Sequence, residues 1–134
     1  MAMTYQPVFA QAPKFNSVAL TAANTATDGT GTIATLVTAG ADGALVTHLG
    51  ILSTATSVAT AVRLFISLDG STWQFIHPVL MAAFTVATTT AQTPTLIIDR
   101  LNPDAAYRLP ANARLGVTEA VSTPLRVFAE WVNY

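Results

Sequence analysis

The stretch Ala61-Val-Arg-Leu-Phe-Ile-Ser-Leu-Asp-Gly-Ser-Thr-Trp-Gln-Phe-Ile-His77 decides the fold. Two runs rich in β-branched and aromatic residues flank Asp69-Gly70, a pair that accepts the positive φ angles of a type I′ turn. Taken as a two-residue loop, the pair sets Leu68 opposite Ser71, Ile66 opposite Trp73, Leu64 opposite Phe75 and Val62 opposite His77. One face then reads Val62, Leu64, Ile66, Trp73, Phe75. The other reads Arg63, Phe65, Ser67, Thr72, Gln74, Ile76. A slip of one residue would carry Trp73 and Phe75 to the opposite face. The expectation is an inner hairpin of an all-β protein, with Leu64, Ile66, Trp73 and Phe75 in one buried patch.

Outward from this hairpin, turn signals recur every 8–12 residues and no helical period appears. Ser17–Thr21 reads as a short strand, followed by a loop, Asn24–Gly31. Thr32–Thr38 alternates as a strand and Ala39–Gly43 is its turn. Ala44–Thr54 is the next strand, with Leu45, Leu49 and Ile51 on one side and Val46, His48, Gly50 and Leu52 on the other. Gly50 marks a bulge or a close backbone approach. In Val79–Ala91 one helical turn at Leu80–Ala83 competes with extended structure, which the Thr run favours. Thr95–Arg100 is a buried strand, Asn102–Asp104 a turn, and Tyr107–Pro110 a short edge piece. Arg114–Ala120 and Pro124–Tyr134 are the last strands, the final one placing Leu125, Val127, Ala129 and Trp131 on one face. About eight strands so spaced predict an antiparallel β-sandwich or barrel. Before it, Met1–Asn16 reads as an extended arm, since Pro7 and Pro13 exclude a helix and Tyr5, Phe9 and Phe15 supply aromatic anchors. The division is thus an arm at 1–16 and one β-domain at 17–134.

The chain has 134 residues, enough for one domain with a real core. Its charged residues amount to 10%, against roughly 25% in an ordinary soluble domain, and lysine occurs once, as Lys14. With a net charge of −1 and no basic stripe, nucleic-acid binding is not expected. There is no cysteine, so thiolate chemistry and disulfides are excluded. No Lys or Arg precedes Lys14, and Gln6, Pro7, Gln11 and Pro13 interrupt any apolar run, so no secretory leader is expected. Asp69 to Asp99 encloses no charged residue. Pro78, Thr88–Thr90, Gln92 and Pro94 still keep its apolar runs below the ~18 residues of a membrane helix. A surface of Thr, Ser, Ala, Asn and Gln, with so little charge to hold copies apart, points to association with other subunits.

Signs of catalysis are sparse. His48 and His77 stand singly in strands, without a partner at metal-ligand spacing. Asp99, Glu119 and Glu130 lie near Arg100, Arg114 and Arg126, a pattern of edge ion pairs rather than of an acid–base couple. Asn24–Gly31 is tempting as a calcium loop, but the twelve-residue pattern needs Glu at position 35, which is Thr35. No nucleophile elbow, phosphate loop or dinucleotide fingerprint occurs. No catalytic residue, cofactor or metal site is expected. Trp73, Phe75, Trp131 and Tyr134 offer a sugar-stacking platform if exposed, although core packing accounts for the first three.

Two blocks carry a resemblance. One is Leu20-Thr-Ala-Ala-Asn-Thr-Ala-Thr-Asp-Gly-Thr-Gly-Thr-Ile-Ala-Thr-Leu-Val-Thr-Ala-Gly-Ala-Asp-Gly43; the other is Ala61–Leu68 with the turn Asp69–Trp73. Together they resemble small virion proteins of tailed phages, prophages and gene-transfer agents, among them capsid decoration proteins and the bases of head fibres or spikes. The resemblance implies a jelly-roll-like sandwich that oligomerises on the capsid surface, against the major capsid protein or another virion protein; the near absence of charge on open sheet edges points to a closed homo-oligomer, trimeric or pentameric. The arm lies outside the resembling blocks; on its aromatics, Tyr5, Phe9 and Phe15 are the candidate contacts with capsid or partner. A carbohydrate-binding module of a phage fibre or tail is the alternative.

Overall fold

A computed structural model describes residues 12–98 and 106–134. Nine strands and no helix occur among them: β1 (Ala12–Leu20), β2 (Ala34–Thr38), β3 (Ala44–Ser53), β4 (Thr60–Ser67), β5 (Gln74–Met81), β6 (Thr95–Ile98), β7 (Tyr107–Leu109), β8 (Arg114–Glu119) and β9 (Leu125–Asn133). They form two antiparallel sheets, β1-β9-β3-β6 with β7 also on β3, and β2-β8-β4-β5. The chain crosses between the sheets at every step except β4–β5 and β6–β7, which is jelly-roll order. β6 and β7 lie along the same edge of β3, one against Leu49–Ile51 and the other against Ala44–Val46, so together they act as one interrupted edge strand.

The core lies between the sheets. Leu36, Val62, Leu64, Leu115 and Val117 come from one sheet, and Val46, Leu49, Ile51, Val127 and Ala129 from the other. Burying such a side chain contributes about 1.5–3 kcal/mol, before the entropy of ordering it is subtracted. In β9 the expected inward set, Leu125, Val127, Ala129 and Trp131, is buried. The sandwich is closed along one side by Asn16, whose Nδ2 donates to the Leu36 carbonyl at 2.9 Å and so links edge strands β1 and β2.

Several expectations are corrected. β1 begins at Ala12 and pairs residue by residue with β9, so the boundary expected at Asn16 falls inside a strand. In β3 a bulge at Thr47 reverses the alternation, placing Val46 with Leu49 and Ile51 in the core and leaving Leu45 on the other side. No helical turn forms at Leu80–Ala83: β5 runs to Met81, and Phe84 then bridges Ser57.

The central hairpin exists, but not in the expected register. Ile66 pairs with Gln74, Phe65 with Phe75 and Leu64 with His77, with a shift between Leu64 and Phe65. The reason is Asp69. Its Oδ1 accepts hydrogen bonds from the Ser71 and Thr72 amides at 2.9 and 2.7 Å and from Ser67 Oγ, building a wide loop in place of a two-residue turn. Only β4 is internal. β5 is an edge strand, where Pro78 is tolerated because a missing donor harms no ladder on a free edge. Leu64 and Ile66 join the core, while Trp73 and Phe75 do not.

Candidate partner-binding surface

Strand alternation decides what β1 displays. Val18 and Leu20 turn toward the core, and Phe15, Ser17 and Ala19 face outward. Phe15, opposite Glu130, is 63% exposed beside a groove of 330 Å³ lined by Pro13, Lys14, Thr47 and Trp131. Tyr5 and Phe9 lie outside the described residues. Ser17 Oγ accepts a hydrogen bond from Arg126 at 2.9 Å across the same face. Further along, the Phe128 ring lies over Gly50, where an added Cβ would come within 2.6 Å of Cζ and 2.9 Å of Leu96 Cδ2. The close approach expected at Gly50 is thus present, with a register shift beside it. His48, 9% exposed, packs its ring 5.5 Å from that of Phe128 at 34°.

The outward face of the other sheet is covered by the chain itself. Phe65 is fully buried there and meets Phe75 edge-on, at 5.5 Å and 87°. In the next strand, opposite Phe65, stands Gly116; a Cβ on it would lie 2.5 Å from Ile33 Cγ2 and 2.8 Å from Trp73 Cζ3. Trp73 and Ile33 therefore roof this face, forming a second apolar layer. The segment from Thr21 to Ile33 folds over it. Asn24 donates its amide to the Glu119 carbonyl at 2.8 Å and its Nδ2 to the carbonyls of Thr30 and Thr32. Arg63 holds the carbonyls of Asn24 and Thr25, and Gly29 abuts the Trp73 backbone. The two resembling sequence blocks are thus brought together as one loop-on-sheet unit.

Asp28 turns inward on its own loop, accepting from the Thr30 amide and hydroxyl, which lower its pKa. Thr35 lies in β2 opposite Gly116 rather than in a twelve-residue loop, so the calcium geometry is not formed. His48 and His77 belong to different sheets. Among the described residues no group of three or more His, Cys, Asp or Glu could hold a metal. Asp69 is held well below the usual aspartate range by the Thr72 and Ser71 amides.

For Glu119 the reading of an edge ion pair is overturned. It shares the inward face of β8 with Leu115 and Val117 and is 0% exposed. The alternation Leu115-Gly-Val-Thr-Glu119 carried that signal, and its nearness to Arg114 in sequence obscured it. Asp99 and Arg100 lie outside the described residues.

On the open side of the sandwich, between β5 and the β6–β7 edge, an apolar groove of 290 Å³ is lined by Leu64, Ile76, Ile97 and Ile98 with His77 and Tyr107. No family model, curated protein or solved structure matches the chain.

Proposed function

We propose that this chain is a structural protein of a tailed-phage-type virion, seated on the outside of the head as a decoration protein or as the base of a head fibre or spike. The observation that carries the reading is the junction of the two resembling blocks. Residues Asn24 and Thr25 of the first are clamped by Arg63 of the second, and Gly29 of the first rests on Trp73 of the second. The likeness thus falls on one packed unit rather than on scattered turns. Two further points support it. The jelly roll is an architecture of capsid domains, although a fold alone does not fix a function. The outward face of the first sheet presents Phe15, Phe128 and Leu96 with few charges, as suits contact with another protein surface. The chain works there as a homo-oligomer against the major capsid protein or another virion protein. Cryo-electron microscopy of particles assembled from the structural genes that accompany this chain is the test. Jelly-roll density outside the shell is the expected result, and particles that carry no copy of the chain when it is present during assembly overturn the reading.

The carbohydrate-binding alternative now rests on Tyr107, 40% exposed at the mouth of the 290 Å³ groove, because Trp73 and Phe75 are engaged over Gly116 and Phe65. Glycan-array binding that Tyr107→Ala abolishes would favour it over the capsid reading.

A further inference from the structure

Glu119 sits where a carboxylate is hardest to keep. It is 0% exposed, on the inward face of β8, opposite Val62 of β4. Its Oε1 accepts one long hydrogen bond, from the Thr123 amide at 3.3 Å, and its Oε2 has no partner among the described residues. No countercharge among the described residues faces it. Arg63, its neighbour on β4, points outward to the carbonyls of Asn24 and Thr25, and Arg126 on β9 points outward to Ser17. Lys14 is at the far end of β1, His48 packs on Phe128 on the outward side of β3, and His77 on β5 is exposed. β2 carries no titratable group, and of the loops at this end only Thr21–Ile33 does, in Asp28, which is exposed and bonded to Thr30. An ionised carboxyl so placed would lose its hydration with little in return, so the neutral acid is the form that fits. Burial raises the Glu119 pKa above the ordinary 4.5, outweighing the Thr123 amide, whose hydrogen bond lowers it.

The same residue ties down the segments that close this end of the sandwich. Its side chain holds the Thr123 amide, and its backbone carbonyl holds Asn24. Around it Ser53 pairs with Ser57, Thr60 accepts from the Val121 amide, and Thr123 accepts from the Val58 amide; none of these bonds is made to Glu119.

We propose that Glu119 is a proton-controlled latch, closed as the neutral acid and opened by deprotonation, which frees residues 21–25 and 120–124 from the end of the sandwich. The direction follows from linkage. The folded state holds the proton to higher pH than the unfolded chain, so the latch stays closed in acid and loosens as pH rises through the raised value.

The chain contains only two glutamates, Glu119 and Glu130, which makes the test direct. Selective carboxyl-13C labelling yields two Cδ resonances, assigned by Glu119→Gln and, independently, by Glu130→Gln. The Glu119 resonance is expected to keep its acid position past the ordinary glutamate value. Amide-exchange protection factors at Asn24 and Thr123 should fall in step with its titration, and in Glu119→Gln they should stay constant. A Glu119 resonance that titrates at the ordinary value overturns the latch. So does a raised titration that leaves the protection of Asn24 and Thr123 unchanged. If Glu119→Gln does not fold, the labelled wild-type protein and Glu130→Gln decide by the same two readouts.

Discussion

Phe65 and Gly116 stand side by side on the outward face of one sheet and make opposite demands on volume. Phe65 fills its site completely, so Phe65→Ala should cost about 3–5 kcal/mol, as for other buried aromatic side chains. Gly116 has no room at all, since Trp73 and Ile33 occupy the place of a methyl group. Gly116→Ala should therefore destabilise by about 1–3 kcal/mol through overpacking, though it adds apolar surface and β-propensity. Trp73→Ala, at a half-buried position, should cost less than Phe65→Ala, about 2 kcal/mol. Urea unfolding at constant slope measures all three, and a neutral Gly116→Ala would mean that Trp73 does not lie over it. Asp69 makes a prediction of the opposite pH sign to that of Glu119. Its carboxyl is held below the ordinary 3.8 by two amides, so its contribution is complete above 3.8 and disappears as pH falls through the lowered folded value. Asp69→Asn keeps the acceptor and removes the charge. The stability advantage of wild type over this variant should shrink as the solution is acidified below 3.8, and parallel urea midpoints would exclude the charge as its source.

Among the elements, β1 gives the sharpest experiment because its first residues were expected to be a free arm. Ala12–Asn16 supply five of the nine β1–β9 pairs, and Asn16 also carries the bond to Leu36. Removing residues 1–16 should lower the unfolding midpoint in urea below that of the protein lacking residues 1–11 alone. Asn16→Ala alone should cost about 0.5–1.5 kcal/mol, the usual worth of one intramolecular hydrogen bond. Equal midpoints for both truncations would show that the first half of β1 contributes nothing. Eight of the nine strands were legible from alternation and turn residues, and β9 was legible face by face. What the sequence hid were local competitions. Asp69-Gly70 has the composition of a tight turn, but the carboxylate collects two amides beyond the glycine and widens the loop. The bulge at Thr47 leaves no mark in composition, because Thr is at home in any strand. Phe15, the one candidate contact among the described residues, is exposed, but on the outward face of a strand whose start the sequence reading places in the arm.

Viewed whole, the molecule is closed on one side by Asn16 and open on the other. The open side carries Ile76 and Tyr107 at its groove, and on edge strand β5 Leu80 is 75% exposed. With a net charge of −1 and one lysine, little electrostatic repulsion keeps copies apart. Sedimentation should therefore find a closed trimer or pentamer whose mass is the same at low and high salt, because few ion pairs can contribute to the contact. A monomer at micromolar concentration in both salts would remove the oligomer from the proposed function. The place of β9 has a further consequence, in time rather than in space. It lies between β1 and β3, so the middle of the first sheet is supplied by residues that leave the ribosome more than a hundred positions after β1 begins. Until Leu125–Asn133 has been synthesised, β1 and β3 have no neighbour to join them. Folding of this sheet is consequently a late event in translation, and the long loops it must close place the chain among the slow folders, on the order of milliseconds to seconds. A nascent chain arrested before Leu125 should leave β1 open to protease, and release of the finished chain should close it.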